Sequence, residues 1–185
     1  MPERYTQVVV CCEDLQQRCF TYRFLTAKGV NGHRIRFAQC PGGRGGDAKQ
    51  FVRERHVVEV KAMRTKPHLA IGVISVIDAD DATVEGRKTE LDNALQTGGQ
   101  RKRQPSERIG VVVPRRNIET WIHSLLGRQV DEETRYPRFH GDERQCAPAA
   151  QEFAQRCPSN MQPSDLPSLR DACAELTSFL EKSSV

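Results

Sequence analysis

The chain has no apolar stretch long enough to cross a bilayer, and its first residues do not pair a basic segment with an apolar core. A soluble, cytoplasmic protein without a membrane attachment is therefore expected. It also has no CxxC pair and no His-rich segment. Its seven cysteines fall at irregular spacings, which reads as reduced thiols and argues against a disulfide framework or a zinc site. Gly-Lys-Ser/Thr after a glycine loop is missing, as is GxGxxG, which removes the two common glycine signatures for nucleotide phosphates. There is no internal repeat, and no Ser/His/Asp set has supporting context. The 185 residues suffice for one ordinary domain with a real core, despite an apolar fraction of only 37% and a mean hydropathy of −0.61.

What the chain does have is two apolar runs that end in acid. Gln7-Val8-Val9-Val10-Cys11-Cys12 stops at Glu13-Asp14. Leu69 to Ile77 stops at Asp78-Ala79-Asp80-Asp81. Runs this rich in Val and Ile read as strands buried on both faces of a parallel sheet. Ligands of open α/β sheets sit beyond the carboxyl ends of such strands. Several carboxylates thus point at one crevice, where they repel one another unless a proton or cation intervenes. A hard divalent metal, Mg²⁺ above all, answers that repulsion. Each acid has a second reading, as a cap for the helix that follows, and Asp80 or Asp81 suits that role.

The rest of the pattern is β-α-β-loop-α-β-α-β-α followed by helices. Leu15 to Lys28 has helical spacing, with Gly29 as its stop. His33 to Gln39 alternates like a strand. Cys40 to Asp47 is a loop with four glycines, and Ala48 to Arg64 is a helix with Phe51, Val52, Val58 and Val60 inward. Thr83 to Leu95 is a charged helix, and Thr97 to Glu107 a flexible basic connector. Ile109 to Val113 is a fourth strand. Asn117 caps a helix that carries Ile118, Trp121, Ile122, Leu125 and Leu126 on one face. Residues 128–148 read as irregular, with helices over 149–156 and 167–180. Such alternation predicts a doubly wound, mostly parallel sheet.

Three further groups bear on chemistry. Gly42 to Gly46 offers backbone N–H groups to a phosphate or is a plain surface loop, with Lys49 just beyond it. Arg115 and Arg116, in Pro114-Arg115-Arg116-Asn117-Ile118-Glu119-Thr120-Trp121, close the fourth strand and can neutralise a phosphate. Glu119 either joins a metal shell or favours the helix dipole. Basic residues also cluster at Arg101-Lys102-Arg103, Arg108, Arg34, Arg36 and Arg44, as a track for a phosphate backbone or as solvated surface. Trp121 reads as core, and His123 and His140 as surface or structural histidines.

Glu13 followed by Asp78-Ala79-Asp80 resembles the TOPRIM domain, which places a Glu after its first strand and Asp-x-Asp after its third. Val111 to Ile122 is similar to small bacterial TOPRIM-like proteins related to the overcoming-lysogenisation-defect nucleases, often encoded beside ATPases in anti-phage defence. The resemblance covers residues 5–127, with 128–185 as a C-terminal helical extension of a single TOPRIM-like domain. It implies a Rossmann-like α/β fold whose mostly parallel sheet is flanked by helices, and C-terminal helices beyond. It implies Mg²⁺ or Mn²⁺ bound by Glu13, Asp78 and Asp80 as catalytic metal ligands. Glu119 would be an additional acid, and Lys49, Arg115 and Arg116 would contact phosphates. The activity implied is hydrolysis of DNA or RNA phosphodiesters, with an ATPase partner; a homo-oligomer is left open. Gln16 and Gln17 depart from nuclease-type members, which often carry another acid there. That departure admits an alternative, a non-catalytic nucleic-acid- or nucleotide-binding subunit that docks on an ATPase.

Overall fold

The computed structural model describes residues 5–41, 45–139 and 145–182. Four strands, β1 (Gln7–Cys12), β2 (Ile35–Gln39), β3 (Ile71–Val76) and β4 (Ile109–Val112), form one sheet in the order β2-β1-β3-β4. All three pairings are parallel. Six helices surround it: α1 (Leu15–Ala27), α2 (Gly45–Arg64), α3 (Val84–Thr97), α4 (Ile118–Leu125), α5 (Cys146–Arg156) and α6 (Pro167–Glu181). The expected α/β architecture with C-terminal helices is what the chain adopts.

The two-residue period of the strands sorts the core into two layers. Val8, Val10, Cys12, Ile74, Val76 and Val112 face α1, α4, α5 and α6, around Phe20, Phe24, Trp121, Phe153 and Phe179. Val9, Cys11, Val111 and Val113 face the opposite way, with Val52 of α2 and Leu91 of α3. Burial on both faces explains why these strands read as continuous apolar runs. Trp121 is core, as expected, and its indole N–H donates to Ser168 Oγ at 2.8 Å. Gly72 makes room for the Phe179 ring: a Cβ there would lie 2.5 Å from Cζ.

The two edges differ. Beyond β4 lies α6, whose Glu175 Oε1 accepts from Val111 N at 3.1 Å. Glu175 also pairs with Arg103 and with the buried Lys88 of α3. Edge strand β2 has no neighbour on its outer side among the described residues.

Several expectations need correction. The second strand starts at Ile35, because Gly32–Arg34 form a 3₁₀ turn that Asn31 opens. Helix α2 begins at Gly45, so Gly45 and Gly46 are helical, while Gly42 to Arg44 lie outside the described residues. Of the residues expected inward, Val52 and Val60 are fully buried and Phe51 packs on the core, but Val58 is 50% exposed; the buried place between Val52 and Val60 belongs to His56, bonded to Ser75 Oγ. The last irregular segment ends earlier than expected, since α5 starts at Cys146; His140 is outside the described residues. The thiols are not all reduced, for Cys157 and Cys173 form a disulfide that ties the end of α5 to α6. Cysteine usage thus stops being an argument for a reducing compartment. Among the described residues no helix is long and apolar enough to cross a membrane.

Candidate active site at the switch point

Strand β1 is central, with β2 on one side and β3 on the other, so the winding direction reverses beside it. Crevices of open α/β sheets form at such a reversal, outside the carboxyl ends of the strands. Glu13 follows β1 and Asp78 follows β3, and the fold brings them together across 65 residues of sequence: Glu13 Oε1 accepts from Asp78 N at 2.6 Å. Both side chains are almost fully buried.

Gln17 locks this pair. Its Oε1 accepts from Glu13 N at 2.9 Å, and its Nε2 donates to Asp78 Oδ1 at 3.0 Å. Asp14 opens helix α1 by accepting from Gln17 N at 2.9 Å, which fixes the backbone from which the amide reaches inward. The capping reading therefore holds for Asp14. It does not hold for Asp80 or Asp81, because Thr83 caps α3.

Asp80 lies beyond the end of β3, in a loop with φ of 51°, a left-handed backbone that costs a non-glycine residue about 1 kcal/mol or more. The conformation is held from outside. Arg115 Nη1 donates to the Asp80 carbonyl at 2.7 Å and to that of Ala82 at 3.1 Å, and Arg116 Nη1 donates to the Asp80 carbonyl at 3.1 Å. Both arginines also pair with Glu133. They thus spend their guanidinium groups on bracing the loop that carries Asp80, and this is where the sequence placed phosphate contacts.

Lys49 of α2 completes the cluster. Its ammonium lies 3.0 Å from Glu13 Oε2 and 2.5 Å from Asp80 Oδ2. Arg135 approaches Asp80 Oδ1 at 2.8 Å. These groups line a cavity of about 340 Å³, whose walls also include Asp81, Arg87 and Arg138. Burial alone pushes the Lys49 ammonium toward neutrality, but the two carboxylates outweigh it and raise its pKa, so it stays charged. Asp78 sits deeper. Burial, then the negative charges of Glu13, Asp14 and Glu119, hold its pKa well above the usual carboxylate range, and Lys49 only partly opposes them. Glu119, in the first turn of α4, is also buried, which pushes its pKa up to about 7.

The donor chemistry can be tested against a divalent ion. Glu13 Oε2 and Asp80 Oδ2 converge on one cation position, now held by the Lys49 ammonium. Two carboxylates plus water suit Mg²⁺ or Mn²⁺. Asp78 is different, with one oxygen committed to Gln17. Glu119 bears on Asp78 through charge. Among the described residues no group of three or more His, Cys, Asp or Glu is arranged to hold a metal ion. The residues thus fit one cation on Glu13 and Asp80, with Lys49 withdrawn.

Much of the basic track is engaged inside the fold. Arg64 pairs with Glu107 and reaches the Arg101 carbonyl, which pins the connector. Arg103 pairs with Glu175 and Asp92, Arg36 with Glu59, and Arg108 donates to the Lys182 carbonyl. Arg44 is outside the described residues. The basic groups at the cavity, Arg87, Arg135 and Arg138, were not singled out by the sequence; nothing in their local pattern marks them. No family model, no curated protein and no solved structure matches the chain.

Proposed function

We propose that the cavity at the β1–β3 switch point is a Mg²⁺- or Mn²⁺-dependent nuclease centre of TOPRIM type, hydrolysing phosphodiester bonds of DNA or RNA. The observation that carries this reading is the convergence of Glu13 Oε2 and Asp80 Oδ2 on a single cation position. A bound divalent ion would supply Lewis-acid polarisation of the phosphate and a more acidic water. Glu13 and Asp80 would hold it. Asp78, protonated more readily than an ordinary carboxyl, lies behind them and keeps Glu13 in place through its backbone N–H. Arg87, Arg135 and Arg138 supply positive walls for the phosphate oxygens, and Lys49 joins them once it leaves the carboxylates. Glu119, whose carboxyl is pushed up to about 7 by burial, is a partly protonated acid at the rear of the site at neutral pH. The sequence resemblance adds an ATPase partner and a role as effector of an anti-phage system to the proposal.

Cleavage of DNA and RNA substrates with Mg²⁺ or Mn²⁺, by wild type and by Glu13→Ala and Asp78→Ala, tests it directly. Loss in both variants is expected. Activity unchanged in both overturns the assignment.

One observation favours a second reading. The Lys49 ammonium bridges Glu13 and Asp80 and Arg135 pairs with Asp80, so two cations already balance the two carboxylates. A non-catalytic module that binds nucleic acid or a nucleotide, and docks on an ATPase, would use the same basic walls. Calorimetric binding of an oligonucleotide in chelator, with no turnover under any metal, would select it.

A further inference from the structure

Among the described residues nothing pairs with the outer edge of β2, and a groove of about 520 Å³ runs between that strand and α1. Its floor is apolar, made by Leu15, Tyr22, Ile35 and Phe37. Leu15 is 41% exposed, one of few large apolar side chains so exposed among the described residues. The backbone beside the groove is available. Cys40 N donates to Cys12 O at 3.2 Å, so by alternation residues 36, 38 and 40 turn toward β1. The peptide groups of Phe37 and Gln39 therefore point outward. An open edge of this kind is a template for strand addition.

Charge narrows the occupant. Arg18 and Arg23, both exposed, stand on the rim. Among the described residues no carboxylate lines the groove, and neither arginine has a carboxylate partner. Most other arginines around the fold do, among them Arg36, Arg64, Arg103 and Arg156. We infer that the β2 edge and the α1 groove bind an extended segment of a partner protein, one that pairs with β2 as a fifth strand and carries apolar residues and Asp or Glu in turn on its one face toward α1, at every second position. Its apolar side chains would enter the groove and its acids would meet Arg18 and Arg23. A second copy of this chain fits worse, because two-fold pairing would set these arginines against each other. A nucleic-acid strand fits worse too. The Arg18 guanidinium lies 4.9 Å above the Phe37 ring, and the Tyr22 ring tilts 6.3 Å from it, leaving Phe37 poorly placed for base stacking. This inference does not depend on the metal reading of the carboxylate site.

The test is a titration of the isotope-labelled full chain with a short capped peptide that carries valine and glutamate in turn at every second position, with threonine between them, followed by amide chemical shifts. Shifts should cluster at residues 35–39 and 15–23, and affinity should fall about tenfold in Arg18→Glu/Arg23→Glu, the scale of two exposed ion pairs turned repulsive. A milder Arg18→Gln/Arg23→Gln variant, folded by its dispersed spectrum, should weaken binding in the same direction. Absence of shifts at millimolar peptide, or an equal response to the same peptide with lysine in place of glutamate, overturns the inference. So do the same shifts arising from protein concentration alone, which identify a second copy. An oligothymidine that shifts these amides while the peptide does not identifies nucleic acid and overturns it as well.

Discussion

The side-chain amide of Gln17 donates to Asp78 Oδ1 at 3.0 Å while its oxygen accepts from Glu13 N at 2.9 Å. One uncharged side chain thus joins the ends of two strands. Replacing it by alanine leaves a buried N–H and a buried carboxyl oxygen without partners. Each such loss costs about 1–3 kcal/mol. Gln17→Ala should lower the stability measured by urea unfolding by about 2–4 kcal/mol. A change within 0.5 kcal/mol, the range of ordinary surface substitutions, would contradict the role given to Gln17.

Lys49 makes a different prediction. Without its ammonium, Glu13 Oε2 and Asp80 Oδ2 face each other with little screening. Lys49→Met should therefore melt lower than wild type in chelator. It should recover more than wild type when Mg²⁺ or Mn²⁺ is added, because a ligand that binds only the folded state stabilises by about 2.7 kcal/mol at a hundredfold excess over its Kd. Equal thermal shifts for both proteins would argue against a cation position shared by Glu13 and Asp80.

Glu119 sets a pH dependence. Its carboxyl is raised from 4.5 to about 7 in the folded protein, by burial first. A raised folded pKa means that the folded state keeps its proton while the unfolded chain releases it. The associated stability is complete below pH 4.5 and is lost as pH rises through about 7. Glu119→Gln removes that titration. The difference in stability between Glu119→Gln and wild type should thus grow in favour of the variant from pH 4.5 to 7, as read by denaturant unfolding at a series of pH values. A difference that stays flat over this window would show that Glu119 is not held in its acid form.

Much of the fold was legible because it rests on short-range pattern. Runs of Val and Ile gave the strands, and burial on both faces explains why they are continuous. Gly29 was identified as a stop, and it has positive φ. What was illegible depends on partners distant in sequence. Glutamine at position 17 looks like any polar helix residue until β3 delivers Asp78 beside it. On α2, Val52 and Val60 were placed inward correctly, but Val58 was taken for a core residue because the buried place between them is filled by His56, a polar residue bonded to Ser75. At the site, the order of Glu13, Asp78 and Asp80 predicted a shared crevice; Glu13 and Asp80 line it, and Asp78 lies buried behind them. That Lys49 bridges two of them, or that Arg115 and Arg116 brace the Asp80 loop, needed the turn geometry.

Helix α2 offers a compact check of that placement. Val60 is fully buried, whereas Val58 is half exposed. Val60→Ala should cost about 1–3 kcal/mol and Val58→Ala less than about 0.5 kcal/mol. Thermal melts of the two single variants decide it, and equal losses would mean the helix is rotated from the orientation described.

The Cys157–Cys173 bond closes a loop of 16 residues. A loop near this length is stabilised by about 3 kcal/mol through the restricted unfolded chain. Reductant, or Cys157→Ser with Cys173→Ser, should lower the melting temperature accordingly. Free-thiol titration of the unfolded, unreduced protein should count five cysteines, those left outside the bond.

The contact between Glu175 and Val111 N also has a consequence in time. Sixty-four residues separate the strand from the carboxylate that seals it. At a ribosome adding about 5–20 residues per second, β4 would emerge several seconds before its cover. Throughout that interval the nascent sheet presents two unsealed margins, and afterwards one. A slow stretch of codons between residues 113 and 167 would lengthen the exposure, so the yield of properly folded protein should depend on translation speed there even when the amino-acid sequence is unchanged.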